Sequence, residues 1–174
     1  MDNQQEILRE VQQAYLGGLV DGEGSVGIYT TSSKSKTPGG KDAMRVKPSI
    51  SLANTEKVLV DEYCKLLDEL EVPYHVSHRA SQGRNAESWQ VSTTGMKRTM
   101  KLLPYLARVC RGKKQLQARD LMEYCTLRMA DWHAAPFTPR QIELIEQIYA
   151  RNYGQRRRIL RDYTRSGRSS KHPT

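Results

Sequence analysis

The chain has 174 residues, enough for one domain with a sizeable core, and its 28 Lys+Arg against 19 Asp+Glu give a formal net charge of +9 at pH 7. That surplus argues for a polyanionic partner. No apolar run approaches the roughly 18 residues of a membrane span, and residues 1–6 have no signal-peptide character, so neither a membrane protein nor a secreted one is expected.

From the N-terminus, residues 5–14 read as the lead-in of a helix with Ile7, Leu8 and Val11 on an apolar face. Leu16, Leu19 and Val20 continue it at i, i+3, i+4. Gly17 and Gly18 lie inside this helix, where each costs about 1 kcal/mol relative to alanine. A segment that tolerates both needs a close backbone approach, most simply to another helix. Asp21-Gly22-Glu23-Gly24 then reads as a sharp turn, with glycines for positive φ or tight approach and carboxylates at its lip. The helix dipole disfavours an acid at that end unless a cation compensates, as a divalent metal would. Gly22 to Gly27 also spells G-x-G-x-x-G, but a dinucleotide site needs a strand before the glycines and a helix after them. Here the order is reversed, and Glu23 would point its charge at the pyrophosphate.

A strand follows, from Ser25 through Tyr29 to about Thr31. Residues 32–41, with Lys34, Lys36 and Lys41, form a polar loop suited to phosphate contact or to solvation. The next strand alternates: Val46, Pro48, Ile50 and Leu52 on one face, Arg45, Lys47, Ser49 and Ser51 on the other. Two cations and short hydroxyls without an acid suit phosphates and base edges. Asn54-Thr55-Glu56 caps a helix over residues 55 to about 70, with Val58, Leu59, Tyr63, Leu66, Leu67 and Leu70 inward and Pro73 as its breaker. A second hairpin pairs residues 74–79 with 88–93 around a loop that holds Arg84. Val76, Trp89 and Val91 should face in; His75, Ser77, Arg79, Ser88, Gln90 and Ser92 should face out. His75 and His78 then point to opposite faces, and no zinc site is expected.

Residues 95–103 read as a short helix ending at Pro104, and Lys113-Lys114-Gln115 opens a longer one to about Met129 with Leu116, Leu121, Met122 and Tyr124 among its apolar residues. Cations at a helix N-terminus make better sense beside an anion. Thr138-Pro139-Arg140-Gln141 is a capping box introducing Ile142, Leu144, Ile145 and Ile148. The tail holds Arg156, Arg157, Arg158, Arg161, Arg165, Arg168 and Lys171, which suit phosphate tracking. Cys64, Cys110 and Cys125 are odd in number with no C-x-x-C, as expected of reduced thiols in a cytoplasmic, nucleoid-associated or organellar compartment. The expected fold is α+β, an αββαββα core with additional C-terminal helices: one domain over residues 1–150 and a basic extension over 151–174.

Leu16-Gly17-Gly18-Leu19-Val20-Asp21-Gly22-Glu23-Gly24 resembles the motif of the LAGLIDADG homing endonucleases. Gly17 and Gly22 stand where that motif has alanine, Val20 where it has isoleucine and Glu23 where it has aspartate. The later elements fall in the family's order, so the resemblance extends to about Tyr149. The chain holds one copy of the motif, and family members with one copy are homodimers. The resemblance implies an antiparallel four-stranded DNA-binding saddle and hydrolysis of both strands at a long pseudo-palindromic DNA target. It implies Mg²⁺, with Mn²⁺ or Ca²⁺ able to substitute for binding, and no small-molecule cofactor. Glu23 and the main-chain carbonyl of Gly22 would bind the metal, and Asp21 would hydrogen-bond across a helix–helix contact made with Leu16, Gly17, Gly18 and Val20. Asn54 and either Lys113 or Lys114 match the family's supporting catalytic residues in order, and Lys57 is a further candidate. DNA contacts would come from Tyr29, Thr31, Ser33, Lys34, Lys36, Arg45, Lys47, Ser49, Ser51, His75, Ser77, Arg79, Arg84, Ser88, Gln90 and Ser92. Two other readings compete: a binding-only relative (an intron RNA maturase or DNA-binding regulator), and a structural protein whose glycine helix dimerises. The acid at position 23 argues against the first and the one-sided basic strand against the second.

Overall fold

Helix α1 (Asn3–Glu23) runs without a turn into strand β1 (Gly24–Ser33) in a computed structural model of the chain, which describes residues 3–33, 43–83, 86–131 and 136–153. This corrects the expected turn over residues 21–24. A Cβ at Gly24 would lie 2.7 Å from the Val20 carbonyl oxygen and 2.8 Å from the Val20 Cα. Glycine lets the strand start directly against the last turn of the helix.

Strand β2 (Ala43–Asn54), helix α2 (Lys57–Glu69) and strands β3 (His75–Arg79) and β4 (Ser88–Thr94) follow, then helices α3 (Met96–Val109), α4 (Gly112–Ala130) and α5 (Pro139–Tyr153). The four strands form one antiparallel sheet in the order β1-β2-β4-β3. Val26, Ile28, Val46, Ile50, Leu52 and Val91 cover one sheet face with apolar side chains, and the helices close over it with Leu16, Val20, Leu67, Leu102, Leu106 and Leu121. Pro48 costs this sheet little. Its carbonyl accepts from the Gly95 N–H (3.0 Å), so the side where its own N–H is missing faces past the end of β4.

Several helix and strand faces differ from their sequence reading. Val58 is 62 % exposed while Val60 is buried, because residues two apart on a helix point to opposite sides. Val76 shares the core-side face with Val91 but lies on the outer edge strand, where no helix covers it. Leu116 is exposed, its place in the core taken by Gln117, Ala118 and Leu121. Helix α3 continues through Pro104 to Val109. Proline inside a helix costs about 3 kcal/mol. Burial of Leu103 and Leu106, each contributing roughly 1.5–3 kcal/mol, offsets that, and Pro104 itself faces outward. Helix α5 opens with the reciprocal capping box: Thr138 N–H donates to Gln141 Oε1 and Gln141 N–H to Thr138 Oγ1.

No helix among the described residues is long and apolar enough to cross a membrane. Cys110 and Cys125 are buried, and burial pushes both thiols up to about 12; for Cys110 the neighbouring Asp21 carboxylate adds to the effect. Raised thiols carry no thiolate near neutrality, and thiolate is the reactive form. At pH 8 a disulfide reagent should therefore modify at most the half-buried Cys64 of the native protein, and all three cysteines in denaturant. Rapid reaction of a second thiol in the native state would contradict this packing.

Candidate active site and nucleic-acid interface

The last turn of α1 carries the chemistry. Glu23 is exposed there, and its carboxylate has no hydrogen-bonded partner among the described residues. Lys114 reaches the same turn from α4, its Nζ donating to the main-chain oxygens of Val20 (2.6 Å) and Asp21 (2.6 Å). The helix thus ends on a cation that satisfies two of its orphan carbonyls. Burial lowers the Lys114 pKa, while the Asp21 carboxylate pulls the other way. Of the basic candidates, the structure brings Lys114 to the motif. Lys113 is exposed and makes no hydrogen bond to α1, and the Lys57 ammonium pairs with Asp61 (2.6 Å) one turn along α2. Asn54 ends β2, and its Oδ1 accepts from the Glu56 N–H (2.8 Å), so the side chain is held at the entry to α2.

Three of the five residues expected at a contact between copies face inward instead. Leu16 and Val20 are buried in the chain's own core, and a Cβ on Gly17 would meet Val109 of α3 at 2.9 Å. Helical periodicity separates these residues from Gly18, which has open space beside it. The outward stripe consists of Ile7, Leu8, Val11, Tyr15 and Gly18. Asp21 is committed within its own chain, where Oδ2 accepts from the Arg111 N–H at 2.8 Å.

On the sheet face away from the helices, register places Ser25 opposite Ser51, Tyr29 opposite Lys47 and Thr31 opposite Arg45. Ser92 lies between Ser51 and His75, and the Ser77–Gln90 and Arg79–Ser88 pairs extend the same face. Lys47 Nζ sits 5.9 Å from the Tyr29 ring centroid, a cation–π contact. No acid stands among these strand residues, and Arg45, Lys47 and Arg79 supply the charge. Ser33 lies opposite Ala43 at the far end of this hairpin. Lys34, Lys36, Arg84 and the arginine-rich tail lie outside the described residues.

The profile of a family described as a LAGLIDADG-like domain matches residues 10–106. The chain belongs to that family. Solved LAGLIDADG structures share its fold: the homing endonuclease I-CvuI in complex with a DNA target (TM-score 0.68, 18 % identity, 92 % of this chain and 94 % of that one). The archaeal intron-encoded I-Vdi141I, complexed with DNA, gives TM-score 0.64 at 16 % identity over 86 % and 89 % of the two chains. The group I intron-encoded I-CeuI, also complexed with DNA, gives 0.61 at 15 % identity over 79 % and 66 %. At these identities the likeness is one of fold. Sequence comparison with curated proteins finds no match.

Two features of this LAGLIDADG chain escaped the sequence reading. The Asp21–Arg111 link joins residues 90 positions apart and leaves no local signal. The second is the seat of α5 on β1. The Asn152 amide donates to the Val26 carbonyl (3.2 Å), Gln117 holds its Oδ1, and Arg151 pairs with Asp120. A Cβ at Gly27 would overlap the Asn152 amide. A glycine inside a strand does signal such an approach, and Gly27 was the clue available.

Proposed function

We propose that this LAGLIDADG chain is a site-specific double-strand DNA endonuclease that acts as a homodimer, with residues 1–150 as its catalytic domain and 151–174 as a basic extension. The observation that carries this reading is the exposed Glu23 carboxylate, free of hydrogen bonds within the described chain, at the end of a sheet face without acids. Lys114 stands beside it. An ammonium has three donors, two of which hold the α1 carbonyls, leaving one for a phosphate oxygen. The exposed stripe on α1 supports pairing with a second copy through Gly18 and the apolar residues below it, giving two-fold symmetry and a pseudo-palindromic target.

A divalent metal suits this donor set. Glu23 and the Gly22 carbonyl are hard oxygen ligands, and among the described residues no three His, Cys, Asp or Glu side chains form a cage. Few protein ligands with waters and phosphates completing the shell is the habit of Mg²⁺. When bound, such an ion supplies charge stabilisation at the phosphoryl transition state. I-CvuI was solved on DNA in the presence of Mg and of Ca, which supports divalent metal use in the fold.

The test is cleavage of a plasmid library with and without Mg²⁺. Discrete Mg²⁺-dependent double-strand cuts are expected. Salt-sensitive binding without cutting, or preference for structured intron RNA over duplex DNA, would move the protein to the binding-only reading.

A further inference from the structure

The α3–α4 junction is moored to the motif helix at successive points. Val109 packs on Gly17, the Cys110 thiol lies 4.0 Å from the Gly17 carbonyl oxygen, and the Arg111 N–H donates to Asp21 Oδ2. Arg111 is the extended N-cap of α4, Gly112 follows with φ +54°, and Lys114 sits in the first turn. The Asp21 carboxylate therefore fixes the point from which α4 starts, three residues before the ammonium that reaches back to the Val20 and Asp21 carbonyls. Its other oxygen, Oδ1, is buried, with the Cys110 thiol next to the carboxylate and no N–H donor to that oxygen among the described residues, so the amide of Arg111 is the nitrogen donor that holds the group.

We infer that Asp21 is a positioning residue: through the Arg111 amide it sets the start of α4 so that Lys114 stands beside Glu23. The inference deepens the endonuclease reading and rests on it for the reaction, but not for the positioning itself. A role at the contact between copies would make the carboxylate's charge or its outer surface matter. The role inferred here needs only an acceptor oxygen at Oδ2.

The experiment compares wild type, Asp21→Asn and Asp21→Ala in two measurements. Lysine acylation read by peptide mass spectrometry reports the position of Lys114, with the exposed Lys113 as internal reference. Single-turnover cleavage at saturating protein, beside the Kd for the same DNA, reports its use. In wild type Lys114 should label more slowly than Lys113; in Asp21→Ala the two should label alike. Asp21→Asn, which keeps the acceptor, should keep the protection. The cleavage rate should fall on the order of 10²-fold in Asp21→Ala with Kd unchanged, the scale of a small misplacement of a reacting group, and Asp21→Asn should retain most of the rate. Continued protection of Lys114 in Asp21→Ala, equal damage by both substitutions, or a parallel loss of binding and rate would overturn the inference. If Asp21→Ala does not fold, exposure of Lys114 in Asp21→Asn is enough to reject it. If wild type cuts no DNA, the endonuclease reading fails while the labelling still decides the positioning.

Discussion

Glu23→Gln is expected to abolish double-strand cleavage, by at least about 10³-fold, while leaving binding of the same DNA nearly intact. The substitution keeps the side chain's size and removes its charge. Because Glu23 is exposed and makes no hydrogen bond within the described chain, the fold has nothing to lose by the change. A neutral amide is a much poorer ligand for a divalent cation than a carboxylate, and each copy offers one acid at this point. Binding is carried elsewhere, by Arg45, Lys47 and Arg79 and the polar side chains between them on the sheet. A cleavage assay paired with a gel shift separates the two effects. Loss of binding in the mutant, with cleavage and affinity falling together, would make Glu23 architectural.

The second large effect is expected at Gly24. Gly24→Ala should destabilise the protein by about 3 kcal/mol, because the added Cβ meets backbone atoms of Val20 at 2.7 and 2.8 Å and backbone cannot swing aside. For a chain of this size that is a fall in Tm of roughly 6–12 °C. Relief would have to come from moving the last turn of α1, which carries Glu23, so cleavage should fall as well. Gly18→Ala should act in the opposite direction on the isolated chain. No atom of the described residues stands within 4 Å of its Cβ position, and alanine stabilises a helix interior by about 1 kcal/mol over glycine. The same methyl stands on the face offered to a second copy and should weaken self-association. Thermal denaturation together with sedimentation at several concentrations checks both. Equal shifts in Tm for the two substitutions would mean that the close approach of β1 to α1 is not what glycine serves at position 24.

These glycines also show where sequence reading stops. Gly17, Gly18, Gly22 and Gly24 all raise the expectation of a close approach, and the structure provides one at only two of them. Gly17 meets Val109 of its own chain, Gly24 meets the preceding helical turn, and Gly18 and Gly22 meet nothing among the described residues. Periodicity put Leu16, Leu19 and Val20 on one stripe correctly, but could not say whether the stripe faced a sheet or a second copy. Burial in the chain's own core decided that.

What the sequence by itself determined is local. The order of helices and strands, the alternation that makes one face of β2 apolar and the other basic, the capping box at Thr138 and the motif ending in Glu23 all depend on residues within a few positions of each other, where periodicity and caps act. What only the tertiary structure decided is which distant groups meet. Pro104 is carried inside a helix because burial of its neighbours outweighs its local cost. Lys114 rather than Lys113 reaches the motif, and Asp21 turns to the Arg111 amide, because 90 or more residues of folded chain bring α4 back against the end of α1. Such contacts are set by packing between elements, and nothing in the neighbouring sequence of either partner encodes the other.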